Sequence, residues 1–124
     1  MSYSVGWHDT GTYIQFYGAV SVDDVFAADH EQQNDARFPD INYQIADFTG
    51  AESTSVALGD VKLPAAFDAA ACQLNSQLKV ALIVGDSIAR KMCEEYKRFL
   101  NAINASWQIA LFDNYEDAYR WCQD

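Results

Sequence analysis

The chain is short of basic side chains, of histidine, and of any long apolar run. Only 8 Lys and Arg stand against 18 Asp and Glu in 124 residues, a formal charge of −10. That balance argues against a nucleic-acid partner, since the attraction that supplies most phosphate-backbone affinity would here be repulsion. The longest apolar run, Val80-Ala81-Leu82-Ile83-Val84, falls far below the ~20 residues of a membrane span. The first nine residues, Met1-Ser2-Tyr3-Ser4-Val5-Gly6-Trp7-His8-Asp9, have neither the basic nor the apolar segment of a signal peptide. Three cysteines, Cys72, Cys93 and Cys122, are an odd count without a C-x-x-C pair, so free, buried thiols are expected. A cytoplasmic protein is the expectation. With 2 prolines and 6 glycines no linker interrupts the chain, and a single domain over residues 1–124 is expected. Half the residues are hydrophobic and 14% aromatic, enough to form a core and to exclude intrinsic disorder.

What is present is a chain whose hydrophobic period keeps changing. Tyr3, Val5 and Trp7 alternate with small or polar residues, Asp9-Thr10-Gly11 offers a turn, and the alternation resumes over 13–17. This predicts an antiparallel hairpin. Ser21 then precedes Val22-Asp23-Asp24, an N-cap with carboxylates in the first turn. Val22, Val25 and Phe26 share a face, but the stripe fades into Asp29-His30-Glu31-Gln32-Gln33, which predicts a solvated second half. Pro39 closes this segment. A third strand is predicted over 42–48, and residues 49–59 as the one long irregular stretch. Pro64 fits the first turn of a helix whose stripe is Leu63, Phe67, Ala70, Ala71 and Leu74, stopped by Asn75-Ser76. The run from Lys79 to Val84 does not alternate, the mark of a strand covered on both faces. Gly85-Asp86-Ser87 is predicted to cap a helix carrying Ile88, Met92, Tyr96, Phe99, Leu100 and Ile103 on one stripe. A fifth strand over 107–112 and a helix over 115–122, capped by Asn114 with Asp117 at its third position, complete the chain. The order β-β-α-β-α-β-α-β-α predicts an α/β fold: one mixed five-stranded sheet, its first strand antiparallel and the rest mainly parallel, with four helices.

Motifs for chemistry are sparse. Asp29-His30-Glu31 is not followed by a second histidine, because position 34 is Asn34, so no zinc helix is read and no metal or cofactor is expected. No nucleophile elbow, phosphate-binding lysine loop or dinucleotide fingerprint occurs. No catalytic residue is assigned. The acidic run 113–117 lacks the spacing of a calcium loop and reads as helix capping. Of the aromatic residues, most are expected in the core and a few could line a pocket for an apolar ligand. The candidate site is the stretch from Asp47 to Ser55, at the carboxyl end of a parallel strand, where open α/β sheets bind ligands. It gathers Thr49, Ser53, Thr54 and Ser55 as candidate regulatory or binding hydroxyls. A phosphoryl group on one of them would add roughly −1.5 to −2 charges near a helix start.

Ile45-Ala46-Asp47-Phe48-Thr49-Gly50, Lys79-Val80-Ala81-Leu82-Ile83-Val84-Gly85-Asp86 and the closing Phe112 with Ala118-Tyr119-Arg120-Trp121 together resemble SpoIIAA-like proteins. These belong to the STAS/SEC14-type group, akin to anti-sigma-factor antagonists, and the resemblance covers essentially the whole chain. It implies a small cytosolic α/β domain that acts by binding rather than by catalysis. In antagonist members a serine of a D-S-x-G motif at a helix start is phosphorylated by a partner kinase. That motif is not present here, and Glu52-Ser53-Thr54-Ser55 is the nearest stretch. The expected function is therefore a non-enzymatic regulatory module acting through a protein partner or a second copy. The alternative, implied by lipid-binding cousins, is a carrier or sensor of a small apolar molecule held between helix and sheet.

Overall fold

The computed structural model describes residues 3–8, 10–55, 58–103 and 105–124, so Met1, Ser2, Asp9, Val56, Ala57 and Asn104 lie outside the description. Its elements are β1 (Tyr3–Trp7), β2 (Gly11–Val20), α1 (Val22–Gln33), β3 (Tyr43–Thr54), α2 (Lys62–Ala71), β4 (Lys79–Ile83), α3 (Arg90–Ala102), β5 (Gln108–Phe112) and α4 (Tyr115–Gln123), with 3-10 turns at Phe38–Asp40 and Leu58–Val61. One sheet holds all five strands in chain order, β1-β2-β3-β4-β5. β1 runs antiparallel to β2 and every other pair is parallel, which is the predicted architecture.

Sequential parallel order sends each crossover helix to the same side. α1, α2 and α3 share one face with Ile14, Phe16, Ala46, Val80 and Leu82. The other face packs Tyr43, Ile45, Ala81 and Ile83 on Ala118 and Cys122 of α4. The non-alternating run in β4 is thereby explained: Val80 and Leu82 point to three helices, Ala81 and Ile83 to the fourth. Two predicted caps are in place. Ser21 Oγ accepts the Asp24 amide at 3.2 Å while Asp24 Oδ2 accepts the Ser21 amide at 2.9 Å, and Asn114 Oδ1 accepts the Asp117 amide at 2.9 Å.

Four expectations are corrected. β3 does not end at 48 but runs on to Thr54, pairing Tyr17 with Gly50 and Val20 with Thr54. Two register shifts, between Gln15 and Tyr17 and between Gly18 and Ala19, add residues to β3, and such bulges erase the two-residue alternation by which a strand is recognised. The second half of α1 is not solvated: Ala28, Asp29, Gln32 and Gln33 are buried. α2 buries Pro64, Ala65, Asp68 and Ala71, a face rotated by about one residue from the expected stripe, and leaves Leu63 and Leu74 exposed. Ser87 does not cap α3. It sits in a turn where its amide donates to Val84 O at 2.8 Å, and its Oγ is buried with no hydrogen-bond partner among the described residues. Gly85, at φ +51°, makes that turn feasible.

Candidate functional site

The predicted hydroxyls do not converge. Thr49 lies on β3, where its amide and Oγ1 both donate to Asp47 Oδ1, at 2.9 and 2.7 Å. Tyr13 OH donates to the other oxygen of the same carboxylate at 2.6 Å. Burial first, and then this bond, push the Tyr13 phenol above its ordinary pKa. Ser53 and Thr54 follow on the same extended strand, roughly 13 Å along from Thr49 at ~3.3 Å per residue. Ser55 donates its amide to Val20 O at 3.1 Å. Thr49, Ser53 and Ser55 are exposed and Thr54 is half-buried. All but Ser55 are strand residues rather than members of a loop at a helix start.

Two regions stand out instead. The first is the part of the sheet that α4 leaves uncovered. Beyond the α4 footprint, Gln15 and Thr49 are exposed and Tyr17 is 45% exposed. Its border is aromatic: Tyr13 meets Tyr115 edge-on at 5.1 Å, Tyr115 stacks on Tyr119 at 5.8 Å, and Tyr119 meets Tyr43 at 6.1 Å. Tyr115 and Tyr119 are 37% and 42% exposed.

The second lies under the three-helix layer and was not foreseen. Thr12 of β2 donates to Gln32 of α1, and Gln32 Nε2 donates to Gln44 of β3 at 2.6 Å. Beside this chain, Gln33 Nε2 of α1 donates to Asp68 Oδ1 of α2 at 2.7 Å, and the Tyr96 hydroxyl of α3 donates to Asp68 Oδ2. Asp29 of α1 lies beside the same carboxylate, on the wall of one cavity. Asp29 is only 6% exposed and Asp68 3%. Two carboxyl groups can hydrogen-bond to each other only through a proton that one of them keeps. Desolvation, then repulsion from Asp68, hold the Asp29 pKa well above the ordinary range. Desolvation raises Asp68 too, to about 6, against the hydrogen bonds from Tyr96, Gln33 and Asp29 that favour its anion. Because Asp68 already accepts from Gln33 and Tyr96, Asp29 is the proton holder and Asp68 the acceptor.

The pair borders a cavity of about 50 Å³ whose other walls include Phe16, Val25, Phe48, Val61 and Met92. In another protein an apolar cavity of about 150 Å³ holds benzene, so this one is water-sized until the helices separate. No lysine, arginine or histidine lines it. His8 and His30 are exposed, His30 lying against Phe67 at 6.0 Å. Among the described residues no group of three His, Cys, Asp or Glu is placed to hold a metal ion, and Cys72, Cys93 and Cys122 are free thiols. The signal for this polar layer was in the sequence: positions 29, 32 and 33 continue the helical face of Val22 and Val25, so polar residues stand where apolar ones would be buried.

Neither a family model nor a curated protein matches the chain. A solved structure does, along 97% of this chain and 91% of the other, with a TM-score of 0.54 and 14% identity. It is an uncharacterized protein of the DUF3478 family from Shewanella loihica PV-4, with a SpoIIAA-like fold. The chain has a SpoIIAA-like fold. The agreement with the sequence resemblance is one of architecture: five strands in a mixed sheet and four helices. Within this SpoIIAA-like frame, no described helix is long and apolar enough to cross a membrane.

Proposed function

We propose that this SpoIIAA-like chain is a non-enzymatic, cytoplasmic regulatory module that acts by binding a protein partner at the uncovered part of its sheet. The observation that carries the reading is the uneven cover: α4 buries Ile45, Ala81 and Ile83 but leaves Gln15, Tyr17 and Thr49 exposed, with Tyr115 and Tyr119 exposed on α4 itself. Tyrosine supplies large contact area with a polar tip and is enriched at interfaces. A chain of charge −10 favours a partner with a basic surface, which would also be steered toward it. Thr49, Ser53, Thr54 and Ser55 form the rim of this face in our reading. A phosphoryl group on exposed Ser53 or Ser55 would add roughly −1.5 to −2 charges and tighten the hold on a basic partner. Three free thiols fit a reducing compartment.

The test is affinity capture with the wild-type chain beside a Tyr17→Ala/Tyr119→Ala double variant whose melting curve matches it. A partner retained by the first and weakened at least tenfold by the second supports the reading. Equal retention by both, or a chain that binds nothing and sediments as a monomer, overturns it. The carrier alternative draws support from the apolar walls of the cavity between sheet and helices, and it requires that cavity to widen.

A further inference from the structure

We propose that Asp29 and Asp68 form a proton-operated latch that holds α1 and α2 together over the cavity between helices and sheet and releases them as pH rises. This goes beyond the docking face, which lies on the opposite side of the sheet, and does not depend on it. Three helices meet at a single carboxylate: α1 through Asp29 and Gln33, α2 through Asp68 itself, and α3 through Tyr96. The contact is buried, and within it the approach of Asp29 to Asp68 depends on one proton held between two groups that would otherwise repel. No lysine, arginine or histidine lines the cavity beside the pair, and His30, the neighbour of Asp29 on α1, is exposed and packs on Phe67 of α2 at 6.0 Å. On α3 the titratable groups facing the pair are Tyr96 and Cys93, both neutral and both raised by burial. From β3 the facing group is Gln44, and the remaining wall from β2, β4 and the 3-10 turn is apolar, including Phe16, Val80 and Val61.

The sign follows from where the proton sits. The closed form binds protons more tightly than solvated carboxylates do, so opening releases them and is favoured by base. The ratio of open to closed molecules should climb up to tenfold per pH unit for each proton released. The climb begins near pH 4, the ordinary carboxylate value. It passes about 6, where Asp68 ionises, and continues until Asp29 also ionises. Opening separates α1 from α2 and uncovers the apolar walls, turning a water-sized space into one that takes an apolar molecule.

The probe is 8-anilinonaphthalene-1-sulfonate fluorescence from pH 5 to 9 on the whole chain, with a melting curve at each pH. Wild type should gain fluorescence several-fold and lose melting temperature as pH rises. Asp29→Asn keeps a donor toward Asp68 and removes the second ionisation, so its profiles should be flatter. Parallel profiles for the two proteins would overturn the latch. Carboxyl ¹³C titration of the wild type decides the matter without any variant: two carboxyls that ionise above pH 5 support it, and none doing so sinks it.

Discussion

Asn75 offers the sharpest test of how the layers are pinned together. It is buried, and it lies in the link between α2 and β4. Its Nδ2 donates to Phe38 O at 2.9 Å and to Ile41 O at 2.8 Å, and its own carbonyl accepts the Trp107 indole at 2.6 Å. Asn75→Ala removes both side-chain donors and strands the two carbonyls, each at a cost of about 1–3 kcal/mol when buried. Phe38 O keeps a longer bond from the Ile41 amide at 3.4 Å, so the loss should lie near 3 kcal/mol. Against a total of about 5–15 kcal/mol for a domain, that is a large fraction, and it corresponds to a melting temperature lower by roughly 10 °C. Urea unfolding followed by tryptophan fluorescence measures it, and the slope m should be unchanged because the native surface is unchanged. Asn75→Asp sharpens the test. Its carboxylate would face two carbonyls, so its pKa rises on folding, and stability should return as pH falls and the acid regains a proton to donate. A loss under 1 kcal/mol for Asn75→Ala, or an Asp variant indifferent to pH, would refute the pinning role.

Gly11→Ala should unfold more readily by about 1–3 kcal/mol in the same urea assay, because a Cβ there would lie 2.4 Å from the Tyr43 ring. Near-UV circular dichroism should also change, since Tyr43 packs on Tyr119. Burial pushes the Cys122 thiol up to about 11 and the Cys93 thiol higher still. At pH 8 a disulfide reagent should therefore label both far more slowly in the native chain than in urea, and equal rates would contradict their burial.

The architecture was legible because its signals are local or periodic. Val80 to Val84 showed no alternation, and the two faces of β4 prove to be covered by different helices. Ser21 and Asn114 were recognisable as caps because capping is settled within four residues. What escaped depends on partners far away in sequence. Asp29, Gln32 and Gln33 look like a solvated face until Thr12, Gln44 and Asp68 are brought opposite them. Asp68 likewise sits on the inward face of α2 because Gln33 and Tyr96 bond to it, a rotation that Leu63 and Leu74 concealed. The extension of β3 was hidden for another reason: β2 is ten residues long and offers an edge beyond β4, so residues of low strand propensity such as Gly50 and Ala51 pair because a partner is there. The hydroxyls at 49 and 53–55 were recognisable as a cluster in sequence, but the strand spreads them out.

Why one face should be open and the other separable follows from the topology. Sequential parallel strands place three helices on one side and leave the other to α4 alone. A helix is about 10 Å across and strands lie about 4.8 Å apart, so one helix shields little more than two strands of a sheet that has five. The uncovered area is a geometric necessity that a partner can use. On the three-helix side the cover is wider, but α1 and α2 meet through the buried Gln33–Asp68 bond as well as through Phe26 and His30 on Phe67. α4 is held by Ala118 and Cys122 on Ile45 and Ile83 and by Lys79 Nζ on the Trp121 carbonyl. The Cys122 thiol, pushed up to about 11, stays neutral from pH 5 to 9, so a change of pH in that range acts on the α1–α2 contact and leaves the α4 face intact. Binding at the open face should therefore persist across the pH range in which the cavity opens, and a loss of both together would mean that the two faces are not independent.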